Sequence, residues 1–325
     1  MHTVSIWRRW ILLAAVALLV LLLSLVAGPA DKGLQDVLAA FTGGGDAVAR
    51  TVILDLRLPR ALAAFGVGSA LAVAGLLLQA LFRNPLADPY VLGVSGGAAI
   101  GALLAIVLGA SAVGLQASAA LGALAAIGVV WLLAQGQGAA RLLLTGVVVA
   151  STCGAVVALL LAVASSEQLR GMVFWLAGDL SHAHEPWPAL LAALLACAFA
   201  ATFGRALNVL AAGELRAQSV GLDTARWRNA VFIAAALLTA IAVVSAGTIG
   251  FVGLVAPHLS RLLLRTTDHR VLAPATALLG GSLVAVADLL ARTLAEPRQL
   301  PVGGIMALVG APLFLGLLLR RGVVR

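Results

Sequence analysis

Gly213-Glu214-Leu215-Arg216-Ala217-Gln218-Ser219-Val220-Gly221-Leu222-Asp223-Thr224-Ala225-Arg226-Trp227-Arg228-Asn229 is a polar island between two long apolar runs. It carries five charges, a load that lipid would not hold. Gly213 and Gly221 bracket a short helix, because glycine adopts the left-handed conformation that ends helices at little cost. Asp223 stands where its side chain can cap a second helix beginning at Thr224. The stretch therefore reads as helix, turn, helix, held outside the membrane. Leu215, Ala217, Val220 and Leu222 are apolar without belonging to an apolar run, and such a stripe needs a partner surface.

The bulk numbers say what surrounds the island. Of 325 residues, 62% are hydrophobic and 10% charged, with mean hydropathy +1.10. Soluble domains are about 45–50% apolar and about 25% charged, so the chain is an all-α polytopic membrane protein. A net charge of +8 would suggest nucleic acid in a soluble protein. In a membrane protein it reflects basic loops on the cytoplasmic side, and no nucleic-acid partner is implied. The only lysine, Lys32, is followed by Gly33. The Gly-Lys-Ser/Thr core of a phosphate-binding loop is therefore absent, and any ATP that drives the protein binds another subunit. Cys153 and Cys197 fall inside apolar runs and read as small buried hydrophobes.

Ten apolar runs are long enough, with their flanks, to cross a bilayer: about 10–27, 58–82, 90–108, 113–134, 141–163, 189–207, 230–246, 251–264, 271–292 and 301–319. The first resembles a signal peptide, but the count of spans works better if it stays. Short helices resting at the surface are expected near 37–41 and 171–176. Gly247-Thr248-Ile249-Gly250 is a break, and Ala256-Pro257-His258 should interrupt the following span. Ten spans put both termini on one side. That side holds fourteen arginines, and the other holds seven basic residues. The termini and the island are thus expected in the cytoplasm.

At this point a resemblance becomes specific. Gly213-Glu214, Ala217, Val220-Gly221 and Arg228-Asn229 resemble the coupling loop of the vitamin B12/iron-siderophore/haem permease family of type II ABC importers. Leu56-Arg57-Leu58-Pro59-Arg60, the run from Gln79 to Pro89, Gly93-Val94-Ser95-Gly96, the run from Gly250 to His258, Asp268-His269-Arg270 and Leu300-Pro301-Val302-Gly303 are similar to that family too. The resemblance implies one transmembrane permease domain over 1–325, with a coupling loop at 213–229 and periplasmic loops at 29–57, 165–188 and 293–300. It implies ten transmembrane helices per subunit and a two-fold dimer with the pore between copies, in the bacterial inner membrane. It also implies two ATP-binding subunits, with ATP and Mg on them rather than on this chain, and a periplasmic substrate-binding protein.

The resemblance assigns ATPase coupling to Gly213, Glu214, Arg216, Ala217, Gly221 and Asp223. It assigns docking of the binding protein to Arg57, Arg60 and Arg292, where rim charges guide encounter and fix register; plain interfacial anchoring is the other reading. Asp288 lies four residues before Arg292 and could orient it along one helix. The cytoplasmic gate falls at Ala139 and Ala140, where this chain lacks the hydroxyl residues the family suggests. His182 and His184 are substrate candidates that could ligate haem iron at the pore mouth; they read equally as exposed loop residues. His258 is alone and makes no metal site.

The expected function is a non-catalytic permease subunit for a large metal chelate: an iron-siderophore, haem or cobalamin. The alternative is a self-sufficient ion-coupled secondary transporter. That would need titratable groups within the spans, and beyond Asp288 there is little to offer.

Overall fold

A computed structural model of the protein describes residues 2–28, 33–44, 46–136, 138–181, 183 and 185–319. Lys32, His182, His184, Arg320, Arg321 and Arg325 lie outside the described residues. Those described form helices and no strands. In order they are α1 (His2–Val26), α2 (Leu34–Thr42), α3 (Ala47–Thr51), a π-helical turn (Val52–Arg57), α4 (Leu58–Phe82), a 3-10 turn (Pro89–Leu92), α5 (Val94–Val107), α6 (Ala112–Ala134), α7 (Ala139–Val163), α8 (Ser166–Leu176), α9 (Trp187–Ala211), α10 (Glu214–Ser219), α11 (Thr224–Ala246), α12 (Val252–Leu264), α13 (His269–Thr293) and α14 (Val302–Leu319).

Seven of these stretches are long and apolar enough to cross a membrane. Three more apolar helices, α5, α12 and α14, are shorter. The surface helices expected near 37–41 and 171–176 are α2 and α8. Both extend further than their apolar cores, because Asp36 bonds the Gly33 amide and Ser165 with Gln168 forms a capping box on α8.

The loop expected over 29–57 is largely helical from Ala47 onward. Asp46 caps α3 by accepting from the Ala49 amide, and no breaker follows until Arg83. Pro59 does not break the helix, because the preceding turn is already widened. The Leu58 amide reaches back five residues to the Ile53 carbonyl, the kind of insertion that lets a helix pass a residue without an N–H.

Pro257 likewise fails to interrupt α12, contrary to the sequence expectation. Its missing N–H leaves the Gly253 carbonyl without a helical partner. The Gln79 side-chain amide fills that vacancy from α4 at 3.0 Å. The other end of Gln79 accepts from Arg261 at 2.7 Å. One glutamine thus satisfies two groups that the apolar interior could not leave bare.

The α11–α12 break is real, and its loose backbone is satisfied in the same manner. The Tyr90 hydroxyl donates to the Ile249 carbonyl at 3.0 Å and accepts from the Ile249 amide at 2.7 Å. Thr248 donates to the Leu176 carbonyl, and the Asp179 amide to the Ala246 carbonyl at 2.9 Å. Irregular backbone at membrane depth is tolerated only where protein supplies partners.

Helix α4 is the axis. It is buried along nearly its whole length and packs against α9, α11, α12 and α13. The approach is backbone to backbone. A methyl group added at Gly75 would collide with the Gly253 backbone, and one at Gly68 with the Gly280 backbone. Small residues let membrane helices meet this closely. Helix α1 packs on α13 and α4, burying Leu13, Ala17, Val20 and Leu25.

Gly75→Ala should therefore destabilise the protein, by about 1–3 kcal/mol for overpacking. Gly128→Ala, with nothing within 4 Å of the added carbon, should melt like the parent or slightly higher. Thermal unfolding in detergent compares the two, and equal melting would refute the backbone contact.

Candidate functional site

At the island end the backbone folds as its residues dictate. Gly213 takes φ 120° and Gly221 φ 78°, and α10 lies between them. Asp223 caps α11, accepting from the Arg226 amide at 3.0 Å. The apolar residues divide. Ala217 is fully buried, while Leu215 is 84% and Val220 68% exposed. Leu222 is half-buried and Arg216 exposed. So the stripe read from sequence is two faces: Ala217 fixes α10 to the bundle, and Leu215 and Val220 project away from it.

Glu214 pairs with Arg228 at 3.7 Å, joining the start of α10 to α11. Both border a small cleft with Arg83 at the end of α4 and Ala139 at the start of α7. Ala140 is exposed beside it. Trp227 of α11 packs on Phe199 and Phe203 of α9, with ring centroids 6.3 and 5.3 Å away.

A second anchor at this end was not read from the sequence. Asn208 of α9 donates to Asp268 at 2.9 Å and accepts from the His269 amide at 2.9 Å. Asp268 caps α13 and pairs with Arg270 at 2.7 Å. The Arg270 hydrogen bond holds the Asp268 carboxyl well below the usual carboxylate range, with Asn208 adding to it against partial burial. Because the folded pKa lies below the unfolded one, about 3.9, the anchor is at full strength above that value. It is lost as pH falls through the folded pKa.

At the opposite end of α4 lie the arginines. Asp288 of α13 is fully buried, 0% exposed. Arg60 donates to it from Nε at 2.9 Å and Nη2 at 2.8 Å. Arg292 sits one turn on, its Nε 3.1 Å from Asp288 Oδ2; the angle makes this an ion pair rather than a hydrogen bond. The local Asp288–Arg292 pair was legible in the sequence. The Arg60–Asp288 bridge, across 228 residues, was not.

Arg57 and Arg292 also reach α1. Arg57 donates to the Leu25 and Val26 carbonyls, each at 2.8 Å, and Arg292 Nη2 to the Ser24 carbonyl at 3.3 Å. The last carbonyls of a helix have no partner within it and carry a partial negative charge. Gly28 and Pro29 mark the helix end in the sequence, but nothing there says which side chains meet its last carbonyls. Arg57 and Arg292 are each only 5% exposed. Arg60 reaches furthest out, its Nη1 bonding Gln299 at 3.0 Å. The three arginines expected to dock a partner thus form one cluster, with Arg57 and Arg292 turned inward.

Apolar helices broken inside the bilayer, a soluble helix–turn–helix at one end and an arginine cluster at the other define a multi-pass membrane transport protein. The chain belongs to the FecCD transport family, whose model matches residues 16–320. It is 44% identical over 282 residues to the cobalamin import system permease protein BtuC of Halobacterium salinarum, covering 85% of this chain and 75% of that one. It is 39% identical over 323 residues to the vitamin B12 import system permease protein BtuC of Shigella sonnei, covering 97% and 96%. A solved structure described as an inward-facing conformation of a metal-chelate type ABC transporter superposes with TM-score 0.84 at 32% identity. That match covers 97% of this chain and 100% of the other. The chain is accordingly an ABC-type permease rather than the ATP-hydrolysing part of such a transporter.

Two outcomes are expected. Asp288→Asn leaves two buried guanidiniums without their carboxylate and should cost about 3–5 kcal/mol; a thermal melt in detergent close to the parent's would contradict the cluster's role. The melting difference between the parent and Asp268→Asn should shrink as pH falls below about 4. A difference that grows on acidification would reverse the sign derived above.

Proposed function

We propose that this chain is the membrane-spanning subunit of an importer for a large metal chelate, with cobalamin the first substrate to test. The names of the two relatives support cobalamin; iron-siderophores and haem belong to the same chemical class of cargo. The seven long helices and three shorter ones form ten spans, with both termini and the island in the cytoplasm of a bacterial inner membrane. Two copies enclose the path. Helix α7, of which only Leu142, Gly146 and Cys153 are buried, supplies much of the free face for that pairing.

The observation that carries the reading is the outward pair Leu215 and Val220 on a short helix fixed by Ala217. They fit an ATPase subunit that holds ATP and Mg, since this chain has no phosphate-binding loop. Glu214, Arg216, Gly221 and Asp223 shape and charge the same contact. Closure of two ATPase subunits would move α10, and the Glu214–Arg228 pair would pass that movement to the cleft at Ala139 and Ala140, the proposed gate. At the far end a substrate-binding protein docks over the arginine cluster, meeting Arg60 most directly, with Arg57 and Arg292 behind it. Self-sufficient ion coupling finds little support, because Asp288 is already held by two arginines.

Leu215→Asp with Val220→Asp changes side chains that touch little of the bundle, so folding should be unaffected. Association with the ATPase subunit and ATP-driven uptake should each fall at least about ten-fold, as for a buried interface anchor. Uptake of cyanocobalamin in competition with haemin and a ferric hydroxamate reads the substrate in the same assay. Normal association and uptake by the double variant would refute the coupling assignment.

A further inference from the structure

Two cavities open beside the bundle and join. The larger, ≈ 600 Å³, lies beneath α8 and is bordered by Glu167, Arg170, Phe174 and Trp175. The smaller, ≈ 260 Å³, runs between α6 and α11 past Ala120, Leu124, Leu237 and Ala240. They share Gln116, Val244 and Ser245, so they form one groove.

The groove has a length and a polarity. From Gln116 to Leu124, and from Ser245 to Leu237, is eight residues, about 12 Å along each helix. Half the hydrocarbon thickness of a bilayer is about 15 Å. The deep walls are apolar. The mouth is charged with both signs: Arg170 rests over the Phe174 ring at 5.9 Å, and Glu167 and Glu185 border the two cavities. Both carboxylates and the guanidinium are exposed. Asp179, also at the rim, is engaged by Ser181.

We propose that this groove binds a phospholipid whose headgroup carries both a phosphate and a primary ammonium, such as phosphatidylethanolamine. One acyl chain lies between α6 and α11 through a single leaflet. The phosphate meets Arg170, and the ammonium donates to Glu167 and Glu185. Charge-assisted hydrogen bonds of this kind are short and about twice as strong as neutral ones. A quaternary headgroup cannot donate them, so the site distinguishes ethanolamine from choline lipids. The lipid would brace α8 against α11 at the point where α11 breaks.

Trp175 reports on the site directly. With Trp7, Trp10, Trp131, Trp187 and Trp227 changed to Phe, it is the only tryptophan. In phosphatidylcholine nanodiscs, a small fraction of phosphatidylethanolamine with dibrominated chains should quench it saturably. Half-quenching should come at about a ten-fold lower fraction than for brominated phosphatidylcholine, the equivalent of one charge-assisted hydrogen bond. Ala240→Phe, which fills the groove, should abolish the saturable part. Arg170→Gln with Glu167→Gln should erase the headgroup preference. Native mass spectrometry of the unaltered protein, delipidated and given both lipids, should show retained phosphatidylethanolamine and supports the proposal independently of the multiple variant. Quenching proportional to bulk fraction for both lipids and indifferent to Ala240→Phe overturns it. Shielding of Trp175 from both brominated lipid and aqueous iodide also overturns it, because protein would then cover the groove. Displacement of bound lipid by cyanocobalamin would make the groove a cargo site and overturn it as well.

Discussion

The contact of α4 with α12 and α13 is made between backbones, and the rest of the structure depends on it. Where Gly75 meets Gly253 and Gly68 meets Gly280, no side chain lies between the helices. Such an interface has no slack, since interiors packed to this density move between discrete arrangements rather than yielding gradually. Its 25 residues make α4 a strut about 37 Å long. The strut begins at Arg57 and Arg60 and ends at Arg83, beside Glu214 and Ala139. The two surfaces proposed to meet partners are therefore the two ends of one stiff element.

Each end joins its elements with ion pairs as well as apolar contact, and the partners of those pairs come from within the chain. Asp288 answers Arg60 and Arg292, and the carbonyls that end α1 answer Arg57. At the island end Glu214 answers Arg228, and Asp268 answers Arg270. Asp288, a buried acid within a span, is held by two arginines, which fits movement driven from outside rather than by ions crossing within. Where the backbone lacks a regular partner, single side chains complete the hydrogen bonding: Tyr90 for Ile249 at the α11–α12 break, and Gln79 for Gly253 within α12.

Local features were legible in the sequence. The glycines and aspartate of the 213–229 island fixed its two helices to the residue, because capping depends on neighbours. Asp288 with Arg292 was readable for the same reason, at one helical turn. Arg60 with Asp288 was not, since nothing local marks partners 228 residues apart. Nor was the inward turn of Arg57, which depends on where the end of α1 comes to rest. Pro257 misled, because the carbonyl its missing N–H leaves bare is answered by a glutamine from a different helix. The apolar stripe of the island also divided, because hydrophobicity alone does not say which of Leu215, Ala217 and Val220 faces the bundle.

The central claim is that an external ATPase, gripping residues 213–229, drives this permease. Proteoliposomes test it most directly. The full chain is reconstituted alone, or with its ATPase subunit and binding protein, and accumulation of cyanocobalamin, haemin and a ferric hydroxamate is followed. The account predicts accumulation of one of these only in the assembled complex and only with ATP and Mg inside the compartment facing the island. Accumulation by the chain alone under a proton or sodium gradient would contradict it.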